Sequence, residues 1–233
     1  MTRRYTHLFF DLDHTLWDFE ANAARVLEML WEEHRLAERC GECYDAFKTS
    51  FDGHNERLWE KFRKGDLSRE DLRWKRFWLA LLDMKAPDET LSRQMGERFL
   101  EHLPLQKALV PGAEAVLQHC AAKGYDVHLI TNGFETTQWQ KLRTAGIDTH
   151  FGHVITSEGC GCMKPHRGIF DHALNLCGVE AKDSLMIGDA LEVDIKGARD
   201  AGWDQVYYNP TGLPHKEKPT FEIRRLEELL EIV

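Results

Sequence analysis

The chain lacks the features that commonly direct a protein to a membrane or to a nucleic acid. None of its apolar runs approaches the roughly 20 residues that a bilayer-spanning helix needs. Basic residues are outnumbered, and the formal net charge of −9 argues against bulk binding to nucleic acid or to acidic lipid. The first residues also lack the apolar stretch of a signal peptide. We therefore expect a cytoplasmic protein with no membrane and no nucleic acid polymer among its partners.

Local metal-binding and disulfide patterns are also scarce. The twelve histidines form neither an HxH nor an HExxH pattern, which disfavours a histidine metal site. The six cysteines are expected to be free thiols in a chain without a secretory signal. A four-ligand zinc site would have to combine Cys40 and Cys43 with Cys160 and Cys162, so zinc is disfavoured and the sequence assigns these cysteines no role.

The residues that are present suit a folded, soluble protein. Apolar residues make up 42% of the chain and charged residues 30%. A length of 233 residues is sufficient for one α/β domain of ordinary size and a smaller inserted unit. No repeats or low-complexity segments interrupt the sequence.

The pattern of apolar residues changes twice along the chain. A short buried strand is predicted over His7–Leu12, followed by helical patterns, beginning with Glu20–Arg39, up to about residue 105. Beyond Pro111 and Gly112, strands and helices alternate. The later predicted strands are Tyr125–Ile130, His153–Thr156, Ser184–Ile187 and Gln205–Tyr208. The helices predicted among them are Ala113–Lys123, Thr136–Ala145, Pro165–Cys177, Val193–Ala201 and Phe221–Val233.

This alternation predicts an α/β fold with a Rossmann-like parallel sheet core. The helical block interrupts the alternation after the first strand, so it is predicted to be an inserted α-helical cap domain, folded over an edge of the sheet. The predicted core comprises residues 1–17 and 106–233, and the predicted cap comprises residues 18–105.

Chemically reactive residues stand just beyond every predicted strand except the last. In an open parallel sheet, ligands bind at the carboxyl ends of the strands, so these residues are expected to converge on one rim. They are Asp11 and Asp13 after the first strand, Thr131, Asn132 and Gly133 after the second, Lys164 after the third, and Asp189 with Asp194 after the fourth.

Carboxylates that are packed together need a compensating positive charge, and a hard divalent cation provides it. We therefore predict a Mg²⁺ cradle formed by Asp11, Asp13 and Asp189. Lys164 and Thr131 are expected to meet the remaining negative oxygens of a small phosphorylated substrate. These residue types together favour phosphoryl transfer, in which positioning and charge neutralisation supply most of the catalysis.

The close spacing of Asp11 and Asp13 suits a two-step reaction. One carboxylate can act as a nucleophile and form an aspartyl-phosphate. A second carboxylate can protonate the leaving group and later deprotonate water. Residues i and i+2 of an extended segment point the same way, which would turn both carboxylates toward the metal and the phosphate. Backbone N–H groups after Asp11 and Asn132 would add hydrogen-bond donors.

Four short segments, "DLDHTL", "TN", "KP" and "GDALEVD", occur in this order and resemble the haloacid dehalogenase-like (HAD) hydrolase superfamily. The resemblance covers the predicted core, and the helical block resembles that family's α-helical cap. It implies that Asp11 is the nucleophile and Asp13 the general acid and base. Mg²⁺ would be held by the side chains of Asp11 and Asp189 and by the backbone carbonyl of Asp13.

The same resemblance assigns the phosphoryl group to Thr131, Asn132 and Lys164. Asp194 would support either the water shell of the metal or Lys164. One departure from the family pattern is His14, which stands where glycine is common in this superfamily.

Longer segments, "FFDLDHTLWDF", "LITNGF" and "MKPHRGIFDHAL", are similar to the YjjG/YfnB branch of pyrimidine 5′-nucleotidases. The implied function is Mg²⁺-dependent hydrolysis of a small phosphomonoester by a monomer or weak dimer. A pyrimidine nucleoside 5′-monophosphate is the favoured substrate, and a sugar phosphate is the alternative. Asp13 disfavours a 2-haloacid dehalogenase, which usually lacks the second acid. A non-catalytic phosphate-binding domain would need neither Asp13 nor the cap.

Each of these residues also has a purely structural interpretation. The Asp11 and Asp13 pair alone is compatible with a solvated strand end, Lys164 with a surface lysine, and Asp189 and Asp194 with a turn and a helix cap. The four motifs in order favour the catalytic interpretation of the set.

Four further residues are candidates for the substrate pocket. Trp17 and Phe19 follow the nucleophile loop, and Asn55 and Arg76 are polar residues within the apolar pattern of the cap. A surface role is the alternative for Asn55 and Arg76.

Overall fold

The computed structural model describes residues 4–41 and 43–233, and within them six parallel strands form one sheet. The strand order is β3-β2-β1-β4-β5-β6. The strands are β1 (His7–Phe10), β2 (Asp126–Thr131), β3 (His153–Thr156), β4 (Ser184–Gly188), β5 (Asp204–Tyr208) and β6 (Phe221–Ile223). The predicted α/β class with a Rossmann-like parallel sheet is therefore confirmed.

Helices occupy most of the rest of the described chain. They are α1 (Phe19–Glu33), α2 (Leu36–Cys40), α3 (Tyr44–Arg63), α4 (Arg69–Asp83), α5 (Glu89–His102), α6 (Ala113–Lys123), α7 (Glu135–Ala145), α8 (Ser157–Cys160), α9 (Arg167–Cys177) and α10 (Lys196–Asp200). Helices α6, α7 and α9 end at the predicted glycines, each in the left-handed conformation: Gly124, Gly146 and Gly178. Among the described residues, no helix has the length and apolar character of a membrane span.

The chain divides into two compact units. One comprises the described residues up to Phe19 together with Lys107–Val233, and it contains the whole sheet. The other is Glu20–Gln106, whose described residues form helices and turns. These limits lie close to the predicted ones of 17/18 and 105/106.

In the helical unit, α3, α4 and α5 bury their apolar faces against one another. Phe51, Phe77 and Phe99, one from each helix, are fully buried, with ring centroids 4.8 to 5.5 Å apart. Helix α4 begins at the predicted N-cap, where Ser68 Oγ accepts a hydrogen bond of 3.0 Å from the Asp71 N–H.

The predicted helix over Phe221–Val233 is wrong. Phe221–Ile223 instead form β6, which extends the sheet by pairing with β5, and a 3₁₀ turn follows over Leu226–Glu231. A strand of three residues carries too little alternation to be distinguished from the strong helical pattern of the segment after it.

The predicted helix over Glu20–Arg39 is interrupted. Helix α1 ends at Glu33, and Arg35 adopts a left-handed conformation with φ 49° before α2 begins. No glycine or proline marks this position, so the residue pattern alone contained no sign of the break.

The sheet order places the ends of β1 and β4 at a topological switch point. From β1 the chain continues to β2 and β3 on one side of the sheet and to β4, β5 and β6 on the other. Asp11 directly follows β1, Asp189 directly follows β4, and the Asp11 N–H donates to the Ile187 carbonyl at 2.9 Å. Ligands of open α/β sheets bind in the crevice at such a point.

Candidate active site

Lys164 connects the reactive residues of three segments. Its ammonium donates to Asp11 Oδ1 at 2.6 Å and to the Ile130 carbonyl at 2.7 Å, and it lies 2.7 Å from Asp194 Oδ1. The side chain is only 1% exposed. Burial would lower the pKa of Lys164, but the charges of Asp11 and Asp194 outweigh it and raise this pKa. Lys164 is therefore a buried cation, not the surface lysine of the structural alternative.

Asp194 reaches Lys164 from a π-helical turn over Leu191–Ile195. Its N–H donates to the Ala190 carbonyl at 2.7 Å, and the regular helix α10 starts only after the turn. The predicted α-helix Val193–Ala201 is thus π-helical at its start, a feature often found at functional sites. A Cβ at Gly188 would collide with Asp194 Oδ2, so the glycine of the "GD" pair permits this close approach.

Three carboxylates gather beside this lysine. Oxygens of Asp11, Asp189 and Asp194 lie within 4.8 Å of one another, and the Thr15 hydroxyl donates to Asp189 Oδ1 at 2.9 Å. The sequence placed Asp13, not Asp194, in this group. The Asp13 carboxylate instead forms a separate ion pair with Lys141.

The electrostatics of the carboxylate group leave negative charge uncompensated. Burial, reinforced by Asp194 and Asp189, raises the pKa of Asp11 to about 8 although Lys164 opposes the shift. Burial and the charge of Asp194 raise the pKa of Asp189 to about 7. One ammonium balances only one of three carboxylates. Oxygen donors with surplus negative charge are the set that a hard divalent cation such as Mg²⁺ requires, so the residues fit that metal.

Asp13 forms its own ion pair with Lys141 of α7. Lys141 Nζ donates to Asp13 Oδ1 at 2.6 Å, and Gln138 Nε2 donates to Asp13 Oδ2 at 3.0 Å. Burial alone would raise the pKa of Asp13, but the charge and hydrogen bond of Lys141 and the bond from Gln138 outweigh it and lower this pKa. The Asp13 side chain is still 25% exposed, whereas that of Lys141 is 4% exposed. Asp13 is therefore an ionised carboxylate that solvent can reach.

The Trp17 ring lies under this ion pair. Lys141 Nζ is 4.4 Å from the Trp17 ring centroid, a cation–π contact, and Trp17 is fully buried. This is not the pocket-lining position that the sequence predicted for Trp17. Phe19 is half-buried, 6.3 Å from Trp17 between ring centroids, and its role in a pocket stays a prediction.

Thr131, at the end of β2, has an unused donor. Its hydroxyl oxygen accepts from Gln138 Nε2 at 2.7 Å and from the Gly133 N–H at 3.0 Å. Both bonds use the hydroxyl as an acceptor, so its own proton can still be donated. The Gly133 N–H, expected as a phosphate donor, is engaged within this loop.

Asn132 has a positioning role that the sequence did not indicate. Its side-chain amide donates to the Lys164 carbonyl at 2.8 Å, and its side-chain oxygen accepts from the Lys164 N–H at 2.7 Å. This pair of bonds fixes the backbone of Lys164 relative to the end of β2. Direct phosphate binding by Asn132 stays a prediction.

The departure at His14 has a backbone explanation. His14 is exposed and has a φ of 66°, the left-handed region in which glycine carries no steric penalty. Its ring is tilted by 38° against the ring of Phe19, with centroids 4.9 Å apart.

Three polar residues of the site, Thr15, Gln138 and Lys141, were missed by sequence reasoning. Gln138 and Lys141 are three residues apart on α7 and therefore share a face, and both are buried together with Leu142. Two polar side chains on the apolar face of an amphipathic helix were the available signal. Nothing in the local pattern indicates that Lys141 contacts Asp13.

In the helical unit, the two candidate pocket residues Asn55 and Arg76 contact each other. Arg76 Nη1 donates to Asn55 Oδ1 at 2.9 Å, and the guanidinium carbon lies 4.7 Å from the Phe99 ring centroid. Arg76 is 5% exposed. Burial, with a smaller contribution from Arg73, lowers the pKa of Arg76 to about 9, so it stays charged at neutral pH. Arg76 is thus a buried cation among aromatic rings, and a surface role is excluded for it.

None of the six cysteines is in a disulfide bond. Cys160 Sγ lies 3.3 Å from Cys162 Sγ in the segment before Lys164. Cys40 and Cys43 belong to the other unit. Within the described residues, neither pair is part of a cluster of metal-ligating side chains.

Comparison with known proteins agrees with this fold. The sequence profile of haloacid dehalogenase-like hydrolases matches residues 5–202. The chain belongs to this family and is therefore a hydrolase.

Three relatives are informative. The chain is 32% identical over 235 residues to the HAD-hydrolase YfnB of Bacillus subtilis, covering 99% of this chain and 96% of YfnB. It is 30% identical over 230 residues to the pyrimidine 5′-nucleotidase PynA of Streptococcus pneumoniae, covering 97% and 94%. A shorter match of 129 residues, 39% identical, covers 53% of this chain and 54% of a glyceraldehyde 3-phosphate phosphatase of Pyrococcus abyssi. The crystal structure of magnesium-bound YfnB superposes with a TM-score of 0.88 at 30% identity and covers 99% of both chains.

Proposed function

We propose that this hydrolase is a Mg²⁺-dependent phosphatase that cleaves a small phosphomonoester through an aspartyl-phosphate on Asp11. The observation that carries the proposal is the position of Asp11 at the switch point of the sheet. There it is hydrogen-bonded to Lys164, and one of its oxygens lies within 4.8 Å of an oxygen of Asp189 and of an oxygen of Asp194. A nucleophile, a buried cation and a cation-binding set of carboxylates meet at one point.

The metal would be held by the side chains of Asp11 and Asp189 and by the backbone carbonyl of Asp13, with Asp194 supporting Lys164. Bound Mg²⁺ supplies charge neutralisation for the carboxylates and for the phosphate oxygens. The raised pKa values of Asp11 and Asp189 support this assignment, because they indicate charge that the protein alone does not balance. The magnesium in the YfnB crystal structure also supports it.

In the first step, Asp11 attacks the phosphorus atom and the bond to the ester oxygen breaks. Lys164 holds Asp11 through Oδ1, and we assign the attack to the other oxygen, Oδ2. The leaving alkoxide takes its proton from Asp13. Since Lys141 keeps Asp13 ionised before substrate binds, we assign that proton to the incoming ester, whose phosphate has its second pKa near 6.

In the second step, water attacks the phosphorus atom and the bond to Asp11 breaks. Asp13, now a carboxylate again, accepts the proton of the water molecule. The Lys141 ion pair favours this basic form of Asp13. We assign the free hydroxyl proton of Thr131 to a phosphoryl oxygen, because both observed bonds use this hydroxyl as an acceptor.

The favoured substrate is a pyrimidine nucleoside 5′-monophosphate. The match to PynA extends over 97% of this chain, and so includes the helical unit as well as the sheet unit. The match to the glyceraldehyde 3-phosphate phosphatase spans 53% of the chain and supports a sugar phosphate as the second candidate. Asp13 and its dedicated lysine support phosphate ester cleavage over dehalogenation, which has no leaving alkoxide to protonate.

The test is phosphate release from a panel of phosphomonoesters by the full-length chain. The panel contains UMP, dUMP, TMP, purine nucleotides and sugar phosphates, each with Mg²⁺ and with EDTA. We expect the highest kcat/KM for a pyrimidine nucleotide, loss of activity in EDTA and recovery when Mg²⁺ is restored. A sugar phosphate as the best substrate would select the second candidate.

The matched control is Asp11→Asn, which preserves side-chain shape but removes the nucleophile. It should fold normally by circular dichroism and show no turnover. Appreciable turnover in this variant, or full activity of the native chain in EDTA, contradicts the proposed mechanism.

A further inference from the structure

A second cluster of ligating side chains lies on the sheet away from Asp11. His7 is the first residue of β1, and His128 and His153 occupy neighbouring positions on β2 and β3. Their three imidazoles stack in a row across the strands, with centroids 5.3 Å apart for His7 and His128 and 5.3 Å for His128 and His153. Asp11 follows the opposite end of β1, so this row is separate from the candidate active site.

Cys177 brings a sulfur to the same place. It is the last residue of α9, and a nitrogen of His7, a nitrogen of His128 and the Cys177 sulfur all lie within 4.8 Å of one another. Cys177 is half-buried and His128 is buried. Two imidazoles and a thiol, contributed by three separate elements, thus face one small volume.

The two imidazoles are arranged as a pair of ligands would be. His7 Nδ1 and His128 Nε2 lie 3.0 Å apart. Two nitrogens bound tetrahedrally to one zinc ion, at about 2.0–2.1 Å each, are separated by about 3.3 Å, so a shift of a few tenths of an ångström admits the metal. In this structure a single hydrogen bond joins these two nitrogens.

A carboxylate, that of Asp126, lies near the second ring nitrogen of His7. Asp126 Oδ2 lies 3.7 Å from His7 Nε2, the ring nitrogen that faces away from His128. Metal-bound histidines commonly donate their other N–H to a carboxylate, which fixes the ring and its tautomer. At 3.7 Å the two atoms are not hydrogen-bonded, but a small movement of the exposed Asp126 side chain would form this supporting contact.

We propose that His7, His128 and Cys177 form a site for a thiophilic transition-metal ion such as Zn²⁺, with Asp126 orienting His7. His7 Nδ1, His128 Nε2 and Cys177 Sγ are the ligands, and water completes the coordination. Binding breaks the S–H bond of Cys177 heterolytically, forms a metal–thiolate bond and releases one proton to solvent, with no change of oxidation state. The soft sulfur and the imidazoles discriminate against Mg²⁺, which prefers oxygen ligands.

The site would join three elements of the fold. A metal at this position connects the carboxyl end of α9 to β1 and β2. Entry from solvent is open on one side, where the Asp126 side chain is 70% exposed and Cys177 is half-buried.

The test is titration of the full-length, reduced chain with Co²⁺ in excess Mg²⁺, without oxygen. Co²⁺ reports sulfur ligation through a thiolate-to-metal charge-transfer band in the near ultraviolet, and the carboxylate group beside Lys164 cannot produce that band. We expect one band that saturates at one equivalent of Co²⁺, together with the visible absorption of a four-coordinate ion. Zn²⁺ should displace the Co²⁺ and abolish both.

Variants locate the ligands. Cys177→Ser should lose the charge-transfer band, and His7→Gln should weaken Co²⁺ binding by at least tenfold. Asp126→Asn should weaken it by about 10- to 100-fold, the usual effect of removing a supporting carboxylate. His7 and Asp126 are partly exposed, so these variants are expected to fold, which circular dichroism checks for all three.

The control is the double variant Cys160→Ser/Cys162→Ser, which removes the other close pair of thiols and should keep the band. Absence of the band in the native chain refutes the site. So does its persistence in Cys177→Ser, or its loss in the double variant alone.

Discussion

Lys141 donates a hydrogen bond of 2.6 Å to Asp13, although 128 positions separate the two residues in the sequence. The contact links helix α7 to the loop after β1, and it lowers the pKa of the carboxylate assigned as general acid and base. Because the Lys141 side chain is 4% exposed, solvent screens this interaction weakly. The protonation state of Asp13 is therefore set by a residue outside the recognised motifs.

Replacing Lys141 with methionine should change the pH dependence of the reaction. Without the ammonium, burial dominates and the pKa of Asp13 rises, so the acidic limb of the kcat/KM profile moves to higher pH. The loss of kcat should stay below that caused by removing Asp13 itself. The measurement is a kcat/KM profile from pH 5 to 9 for the native chain and Lys141→Met.

Arg143→Met is the matched control for that variant. Arg143 lies on the same helix but is exposed, and its guanidinium contacts Trp139. The Arg143→Met variant removes one positive charge without touching Asp13, so its pH profile should match that of the native chain. Equal shifts in both variants would assign the effect to net charge and not to the ion pair.

Asp13→Asn should separate the two chemical steps. General acid–base catalysis contributes about 10²–10⁴-fold, and turnover of a nucleoside monophosphate should fall by that factor. A p-nitrophenyl ester needs no proton on its leaving group, so it should still phosphorylate Asp11. Rapid mixing should show a burst of one equivalent of nitrophenol, followed by slow turnover. A uniform loss with both substrates and no burst would remove Asp13 from the role of general acid.

The metal-free protein should lose stability between pH 6.5 and pH 8. The pKa values of Asp11 and Asp189 are about 8 and 7 in the folded state against an ordinary value of 3.8, so the folded state retains protons that the unfolded state has released. Stability therefore falls as pH rises, by at most about 1.4 kcal/mol per pH unit for each titrating group.

A window above pH 6.5 excludes the titration of His128, which would change the stability in the opposite direction. The pKa of His128 is lowered from 6.5 to about 4 by burial and by His7 and His153, and this adds stability as pH rises, but only below pH 6.5. Thermal unfolding in EDTA should show a Tm that falls across the window, and Asp189→Asn, which removes one of the two titrating groups, should make that fall less steep. Mg²⁺ should raise Tm more at pH 8 than at pH 6.5. A pH-independent Tm in EDTA would contradict the uncompensated charge.

Arg76→Met tests why the helical unit buries a cation. The variant keeps the length of the side chain and removes the charge from its surroundings of Phe51, Phe77 and Phe99. Because a desolvated charge is costly, Tm should be unchanged or higher.

If Arg76 contacts the substrate, as the sequence predicts, KM of the Arg76→Met variant should rise at least tenfold. Lys75→Met on the same helix, with a side chain 37% exposed, is the control. A marked fall in Tm with native KM would make Arg76 a packing residue.

The sequence by itself determined the elements and the residues at the carboxyl ends of the strands. Strand and helix periods are local properties, and a parallel sheet brings its strand ends to one edge, so Asp11, Lys164 and Asp189 were predictable together. Short or irregular features were not predictable from the sequence, because β6 and the break at Arg35 have no residue pattern of their own.

Only the tertiary structure decided which charges meet. Lys164 pairs with Asp11 and Asp194, Lys141 pairs with Asp13, and Asn132 holds the Lys164 backbone, across gaps that no local pattern spans. The same holds for His7, His128 and Cys177, which lie on two strands and a helix and form no sequence motif. Periodicity reports which face of an element is buried, whereas electrostatic pairing depends on distances of a few ångströms that only the packed chain defines.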